Sequence, residues 1–217
     1  MIDLIPESHE ARRETENFIH QRFAESYHAN VSHFMPYLLR IREDGSGTWQ
    51  AVAGLRPATT AHNTSPLFVE HYLDQPVEEC ITTKIKSSVE RREIVEIGNL
   101  AEATTGGSRL AIIALTGFLT GYGFNWVVFT AIPLLVNAFP RLGMSPVPLA
   151  QATLDRLSAD AQQEWGSYYD QHPTVMCGDI TNAFHTLDHL ETPLSDKMRA
   201  SLLVGYHMGV WWRKRGF

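Results

Sequence analysis

Glu96 is the one charged residue in a largely apolar run, Ile94 to Leu100, directly before a small-residue loop from Ala101 to Ser108. A carboxylate partly desolvated on such a strand has its pKa raised toward neutrality, which suits a general base. On an open strand face the same glutamate is an ordinary solvated charge, and the residue alone does not decide between the two. The loop ends in Gly106, Gly107, Ser108 and Arg109. Glycine lets the backbone approach a ligand, first-turn amides of a helix point outward, and arginine pairs with phosphate. A Gly-Gly turn also simply starts helices. Its place after a strand with a candidate base singles it out.

Other groupings carry weaker chemistry. His185 and His189 have i,i+4 spacing beside Asp188, but no third ligand is picked out, so no metal is expected. Cys80 and Cys177 lack the surroundings of a nucleophile and read as buried or half-buried thiols. The run Trp165 to Asp170 gathers aromatics and hydroxyls, as the lining of an acyl or acceptor pocket would, although a structural aromatic cluster is the favoured reading. Trp211, Trp212, Arg213, Lys214 and Arg215 mix aromatics with positive charge, as a membrane-interface anchor does. Helix-end cations over a docked aromatic pair give the same pattern and are slightly favoured.

The composition narrows the classes. A chain of 217 residues with 44% hydrophobic and 19% charged residues can bury one substantial core, which excludes intrinsic disorder. Two cysteines, 15 glycines and 11 prolines exclude a disulfide scaffold or a collagen, and a reduced, cytoplasmic protein is the simplest compartment. A net charge of −6 argues against nucleic acid as partner. The tight basic groupings are the tail and Lys84, Lys86, Arg91 and Arg92, which could dock an acidic protein, although a solvated surface is the favoured reading. No secretory signal opens the chain, because charged residues follow Met1 to Pro6 at once.

From Leu110 to Pro140 there is neither a charged residue nor a histidine, a length that could cross a bilayer. Gly121, Gly123, Asn125, Pro133 and Asn137 interrupt it, and Trp126 to Thr130 is β-branched and aromatic. The favoured parse is a helix over about 107–121, a buried strand over 125–130 and a second helix over about 132–142. An apolar strand between apolar helices is what a sheet covered on both faces produces.

The remaining elements follow from periodicity. The sequence predicts an amphipathic helix over 8–28 with Ser8 as N-cap, and strands at 34–42 and 49–55 joined by the acidic glycine loop Glu43 to Gly47. Pro57 to Pro66 reads as loop, and Phe68 to Leu73 as helical or extended. Further strands are expected at 94–100, at 145–149 (held to an edge by Pro146 and Pro148) and at 175–180. Gly143 is a C-cap; 150–165 and 194–215 read as helices. The fold class is α/β, with a mixed sheet.

Several segments together resemble the bacterial thermostable hemolysin family: Tyr72 to Glu78, Arg92 to Ala101, Trp126 to Thr130, Asn137 to Gly143, and Trp165 to Asp170 with Gly178 to Ile180. Their order and spacing cover roughly residues 15 to 180. That family is similar to the GNAT acyltransferases and, within them, to acyl-homoserine-lactone synthases. The resemblance implies a GNAT-like mixed, twisted central sheet flanked by helices and splayed between its fourth and fifth strands, 94–100 and 125–130, where the donor's pantetheine arm inserts. It implies a GNAT-like domain over 1–180, with 181–217 as a helical extension of the same domain. Gly106, Gly107, Ser108 and Arg109 then fall on the pyrophosphate-binding turn, and Glu96 on the strand carboxylate of the synthases. The chain departs from the pattern at Ala103, where a Gln or Arg usually begins the turn. It departs again at Phe139, where a proton-donating tyrosine is usual, and at Met144, where an aromatic is usual. Proton delivery would fall to water or to Tyr168 or Tyr169.

The leading expectation is an N-acyltransferase that takes an acyl-CoA or acyl carrier protein thioester as donor and a small amine as acceptor. Glu96 serves as base, strand amides beside Asn99 and Leu100 hold the thioester oxygen, and Arg109 with the glycine turn holds the phosphates. Acyl carrier protein would dock on Lys84, Lys86, Arg91 and Arg92, and the C-terminal Trp/Arg/Lys segment could touch a membrane surface. The alternatives are a membrane-active hemolysin, whose lysis could also come indirectly from a surfactant-like product, and a GNAT-like protein that binds acyl donors without turnover.

Overall fold

The computed structural model describes residues 2–42, 49–60, 64–103, 106–190 and 194–216. The loop expected at Glu43 to Gly47 lies outside these. The first element is strand β1 (Ile2–Pro6), which has no counterpart among the strands expected from periodicity. Helix α1 (Arg12–Tyr27) follows; it starts later than Ser8, where His9 Nδ1 accepts the Ala11 amide. Strands β2 (Tyr37–Arg42) and β3 (Trp49–Pro57) form the expected antiparallel pair. A turn of 3-10 helix (Phe68–Tyr72) and helix α2 (Val77–Ile85) lead to β4 (Ile94–Glu102). Helix α3 (Gly107–Tyr122) crosses over to β5 (Trp126–Ala131).

Two expected helices are shorter than their periodicity suggests. The second apolar helix, expected over 132–142, is one turn, α4 (Pro133–Val136), and a 3-10 turn at Pro140–Leu142. Pro140 has no amide to donate back, so the helix cannot continue. The helix expected over 150–165 is replaced at its start by β6 (Val147–Gln151), whose Gln151 pairs with Thr174. Only a 3-10 turn at Leu154–Arg156 and α5 (Ala159–Gln162), N-capped by Ser158, remain helical. Strand β7 (Thr174–Asp179), α6 (Ile180–Asp188) and α7 (Asp196–Arg213) complete the chain.

The seven strands run β1-β2-β3-β4-β5-β7-β6 in one mixed sheet. β1 makes 94–102 the fourth strand and 126–131 the fifth, and among the described residues theirs is the one parallel pairing. A parallel pair needs a crossover, and α3 supplies it. β6 lies at an edge with an irregular register at Pro148, where a proline is tolerated.

α3 explains the long uncharged stretch. Its Leu110, Ala111, Ala114, Leu115 and Phe118 pack on Leu39, Ala53, Leu55 and Val95 of the sheet. Its other side is covered by α7, and the two backbones meet at glycines. A Cβ on Gly117 would lie 2.1 Å from the Leu202 carbonyl oxygen, and one on Gly209 would lie 2.1 Å from that of Phe118. A helix covered by sheet on one side and helix on the other must be apolar all round. Among the described residues no helix is long and apolar enough to cross a membrane. The opposite face of the sheet carries α1, with Ile19 and Phe23 on Leu38 and Val52. There too lie α2 and the 68–72 turn, with Val69, Tyr72, Val77 and Ile81 packed around Ile94 and Val128.

Candidate active site

Glu96 projects from β4 toward the face that carries the 68–72 turn, and only 1% of it is exposed. The turn is what makes this tolerable. Its two leading amides aim at the carboxylate: Phe68 N–H donates to Oε2 and Val69 N–H to Oε1, both at 2.8 Å. Arg56 is the cross-strand partner on β3 and brings a guanidinium nitrogen to 3.9 Å from Oε2. Burial outweighs these stabilising contacts and pushes the Glu96 pKa up to about 7. Of the two readings open in the sequence, solvated charge or desolvated acid, the structure has the second.

The 68–72 turn is itself locked. Glu70 accepts the Leu67 amide at 2.9 Å and the Val77 amide at 3.3 Å, so one carboxylate caps this turn and α2. Arg91 grips both Glu70 oxygens at 2.7 Å, reaches Glu78 at 2.8 Å and donates to the Ser65 carbonyl at 2.8 Å. These bonds hold the Glu70 pKa below the usual carboxylate range even though burial opposes them.

Immediately past Glu96 the sheet opens. Cα pairing of β4 with β5 ends at Ile97 and Phe129, although both strands continue. On its other side β4 carries a bulge: Val52 pairs with Ala101 and Gly54 with Gly98, so Ala53 faces both Asn99 and Leu100. Asn99 takes the left-handed conformation, φ 49°, which asparagine tolerates better than most residues. Its side chain leaves the strand to accept the Met35 amide at 2.8 Å.

The opening leads into a cavity of about 1510 Å³, whose lining includes Glu96, Asn99, Leu100, Gly106, Ser108 and Arg109. Gly106 has φ 88°, a conformation that favours glycine, and Arg109 is exposed at this end. Gly107 is needed for a different reason: a Cβ there would lie 2.4 Å from the Gln50 carbonyl oxygen. Toward α4 the lining turns apolar with Phe129, Leu135, Ala138 and Phe139, and Leu134, 80% exposed, stands there too. Phe139 packs against Phe129 with ring centroids 5.3 Å apart.

Tyr168 and Tyr169 also line the cavity, inside an aromatic cluster with Phe23, Tyr27, Phe68 and Trp165. Tyr169 shares a hydrogen bond with the hydroxyl of Tyr72, which lies within electrostatic reach of Glu96. Burial raises all three phenols, Tyr169 to about 12, so they stay protonated. Tyr72 and Arg56 join the site although nothing in the sequence singles them out. Cross-strand register exposes Arg56, and the turn at 68–72 places Tyr72; neither is visible in local periodicity.

The basic grouping is divided by the structure. Arg91 is committed to Glu70 and Glu78 and unavailable to an acidic partner, which corrects the reading of it as a docking residue. Lys84, Lys86 and Arg92 are exposed and do not line the cavity, and Arg92 pairs with Glu90 at 2.7 Å. His189 Nδ1 is engaged with the His185 carbonyl at 2.9 Å. No group of three or more potential metal ligands occurs among the described residues. Cys177 is buried and Cys80 half-buried. At the end of α7, Trp212 packs on the core and Arg215 stacks over Trp211 at 3.6 Å, the cation-over-aromatic arrangement.

The family model for thermostable hemolysin matches residues 5–184. No curated protein matches the sequence. Among solved structures, BjaI, a CoA-dependent acyl-homoserine lactone synthase solved with SAM and isopentyl-CoA, superposes with a TM-score of 0.55 at 15% identity over 94% of this chain and 99% of its own. TofI, solved in a ternary complex with an inhibitor and MTA, gives 0.53 at 13% identity, over 93% and 96% of the two chains. FeeM, an N-acyl amino acid synthase from uncultured soil microbes, gives 0.50 at 9% identity, over 86% and 93%. At these identities the likeness is one of fold: the mixed, helix-flanked sheet is shared.

Proposed function

This chain belongs to the thermostable hemolysin family, and we propose that it is an N-acyltransferase that moves an acyl group from a CoA or acyl carrier protein thioester to an amine. One observation carries the reading. A buried carboxylate with a pKa near 7 sits at the last paired residues of a parallel strand pair that opens directly beyond it into a large cavity. Its fold neighbours include a CoA-dependent synthase and an N-acyl amino acid synthase, which supports the same chemistry.

In this reading the donor's pantetheine arm lies in the opening between β4 and β5. Main-chain amides at the Asn99–Leu100 bulge hold the thioester oxygen as negative charge develops on it. Gly106, Gly107 and Ser108 present the first amides of α3 to the pyrophosphate, and Arg109 adds its charge. The acyl chain runs toward Phe129, Leu135 and Phe139. Glu96, half deprotonated near pH 7, removes the proton from the attacking nitrogen. Tyr168 and Tyr169 act as hydrogen-bond donors; phenols raised this far are poor acids toward a thiolate. Lys84, Lys86 and Arg92 remain the surface offered to an acyl carrier protein, and residues 181–217 extend the same domain. The protein works in the cytoplasm.

A second reading, donor binding without turnover, is favoured by Phe139, which occupies the place of the usual proton-donating tyrosine. Melting temperature with CoA, short and long acyl-CoA and acylated carrier protein tests donor binding, since a ligand of the folded state alone raises it. A rise with one donor class identifies the donor; no rise with any sinks both readings. Glu96→Gln then divides them: transfer collapses in an enzyme while the donor still binds.

A further inference from the structure

The hydroxyl of Thr130 is shielded from bulk water and has no hydrogen-bond partner among the described residues, although Thr130 lines the cavity. A polar group left so is costly in an otherwise satisfied protein and calls for an explanation. Its position supplies one. Val128 is the Cα partner of Glu96 on β5, and Phe129 is the last residue of β5 paired with β4. Thr130 is therefore the first residue of β5 beyond the pairing, opposite the start of the opening. Alternation along the strand puts it on the same face as Val128 and Glu96.

Resting on the acyl-transfer reading, we propose that Thr130 is a catalytic residue, its hydroxyl donating a hydrogen bond to the thioester sulfur as that sulfur leaves. Distance supports sulfur over the rest of the arm. An amine bonded to Glu96 places its nitrogen about 3 Å from the carboxylate. The thioester carbon lies about 3 Å beyond that nitrogen, with the sulfur bonded to it. The sulfur thus falls one strand repeat from Glu96, roughly 6–7 Å, which is the step from Val128 to Thr130. The contact requires the threonine χ1 to change, because the hydroxyl as placed is shielded rather than open to the gap. In the step, the N–C bond forms and the C–S bond breaks. Sulfur keeps the bonding electron pair, and the nitrogen's proton passes to Glu96 and then to water. The thiolate takes its proton from water after release. Thr130 donates a hydrogen bond throughout and transfers no proton, so the missing tyrosine at Phe139 is replaced by stabilisation of the anion.

The test compares Thr130→Val and Thr130→Ser on two donors, acyl-CoA and an acyl thiophenol ester whose thiolate leaves without help. Thr130→Val should lower kcat with acyl-CoA by about 10- to 100-fold with KM little changed, on the scale of losing one oxyanion donor. With the aryl thioester the loss should be less than about threefold, and Thr130→Ser should restore most of the acyl-CoA rate. An equal loss with both donors, or no loss with acyl-CoA, overturns the proposal. Free CoA provides a readout without turnover: followed by thiolate ultraviolet absorbance, its bound thiol should titrate about one unit lower in the parent than in Thr130→Val. A parent that binds CoA with this difference but transfers to no amine defeats the acyl-transfer reading while leaving the sulfur contact standing. Equal titration in the two proteins defeats the contact itself.

Discussion

Glu70 and Glu96 hold the same turn of 3-10 helix from its two sides. Glu96 accepts the Phe68 and Val69 amides, while Glu70 accepts the amide of Leu67, one residue earlier. The two carboxylates differ in fate because Arg91 neutralises Glu70, while the 3.9 Å contact with Arg56 leaves Glu96 weakly paired. The lowered group thus sets the stage on which the raised group stands, and the charge on Glu70 adds to the upward push on Glu96.

Arg91→Met tests that coupling. Removing a largely buried partner of two carboxylates should cost about 2–4 kcal/mol, read from urea unfolding. It should also move the base, because an unneutralised Glu70 pushes Glu96 further up. The rising limb of the rate against pH should therefore shift to higher pH in the variant. Lost stability with an unmoved limb would reduce Arg91 to scaffolding.

Glu96→Gln is the direct test of the base. The parent's kcat/KM should rise with pH through about 7, the pKa of the carboxyl that must lose its proton. Glu96→Gln should lower the rate by about 10²–10⁴-fold and abolish that limb. A limb that persists in the variant would assign it to another group.

Much of this site was legible in the sequence, and the part that was not has a physical reason. Glu96, Asn99, Leu100 and the turn from Gly106 to Arg109 lie within fourteen residues of chain, so one strand–loop–helix passage places them. The residues that escaped act through register or through irregular backbone. Arg56 meets Glu96 only because β3 pairs with β4 at that offset. The amides of Phe68 and Val69 carry no side-chain signature at all. Arg91 reads as surface charge in the sequence because its partners lie 13 and 21 residues away, at Glu78 and Glu70. Apolar spacing over 132–142 and 150–165 predicts helices, but it is satisfied equally by the short turns that pack there and, at Val147–Gln151, by a strand.

The crossing of α3 and α7 has no room for a side chain. Gly117→Ala and Gly209→Ala would each put a Cβ against a carbonyl oxygen at 2.1 Å, so the helices must part. Each should cost about 3 kcal/mol despite alanine's better helix propensity. Gly106→Ala, where nothing lies within 4 Å, should cost only about 1–2 kcal/mol for its positive φ. Denaturant unfolding at matched m-value separates the two mechanisms, and equal losses at Gly106 and Gly209 would argue against a close crossing.

Burial of Glu96 also makes a statement about stability. Its pKa rises on folding from an ordinary 4.5 to about 7, so the folded state binds the proton more tightly than the unfolded chain. The associated stabilisation is complete below about pH 4 and is lost as pH rises through 7. Between pH 4 and pH 8 this one group should cost the parent about 3 kcal/mol that Glu96→Gln does not lose. The glutamine amide faces one of the two turn amides with a donor, so the variant should be the less stable of the two in acid. Because only the parent pays the cost of ionising, the gap should close or reverse by pH 8. Unfolding curves at pH 5 and pH 8 decide it: a stability difference independent of pH would mean that Glu96 ionises in the fold as it does in the unfolded chain, and would remove the base from the proposed mechanism.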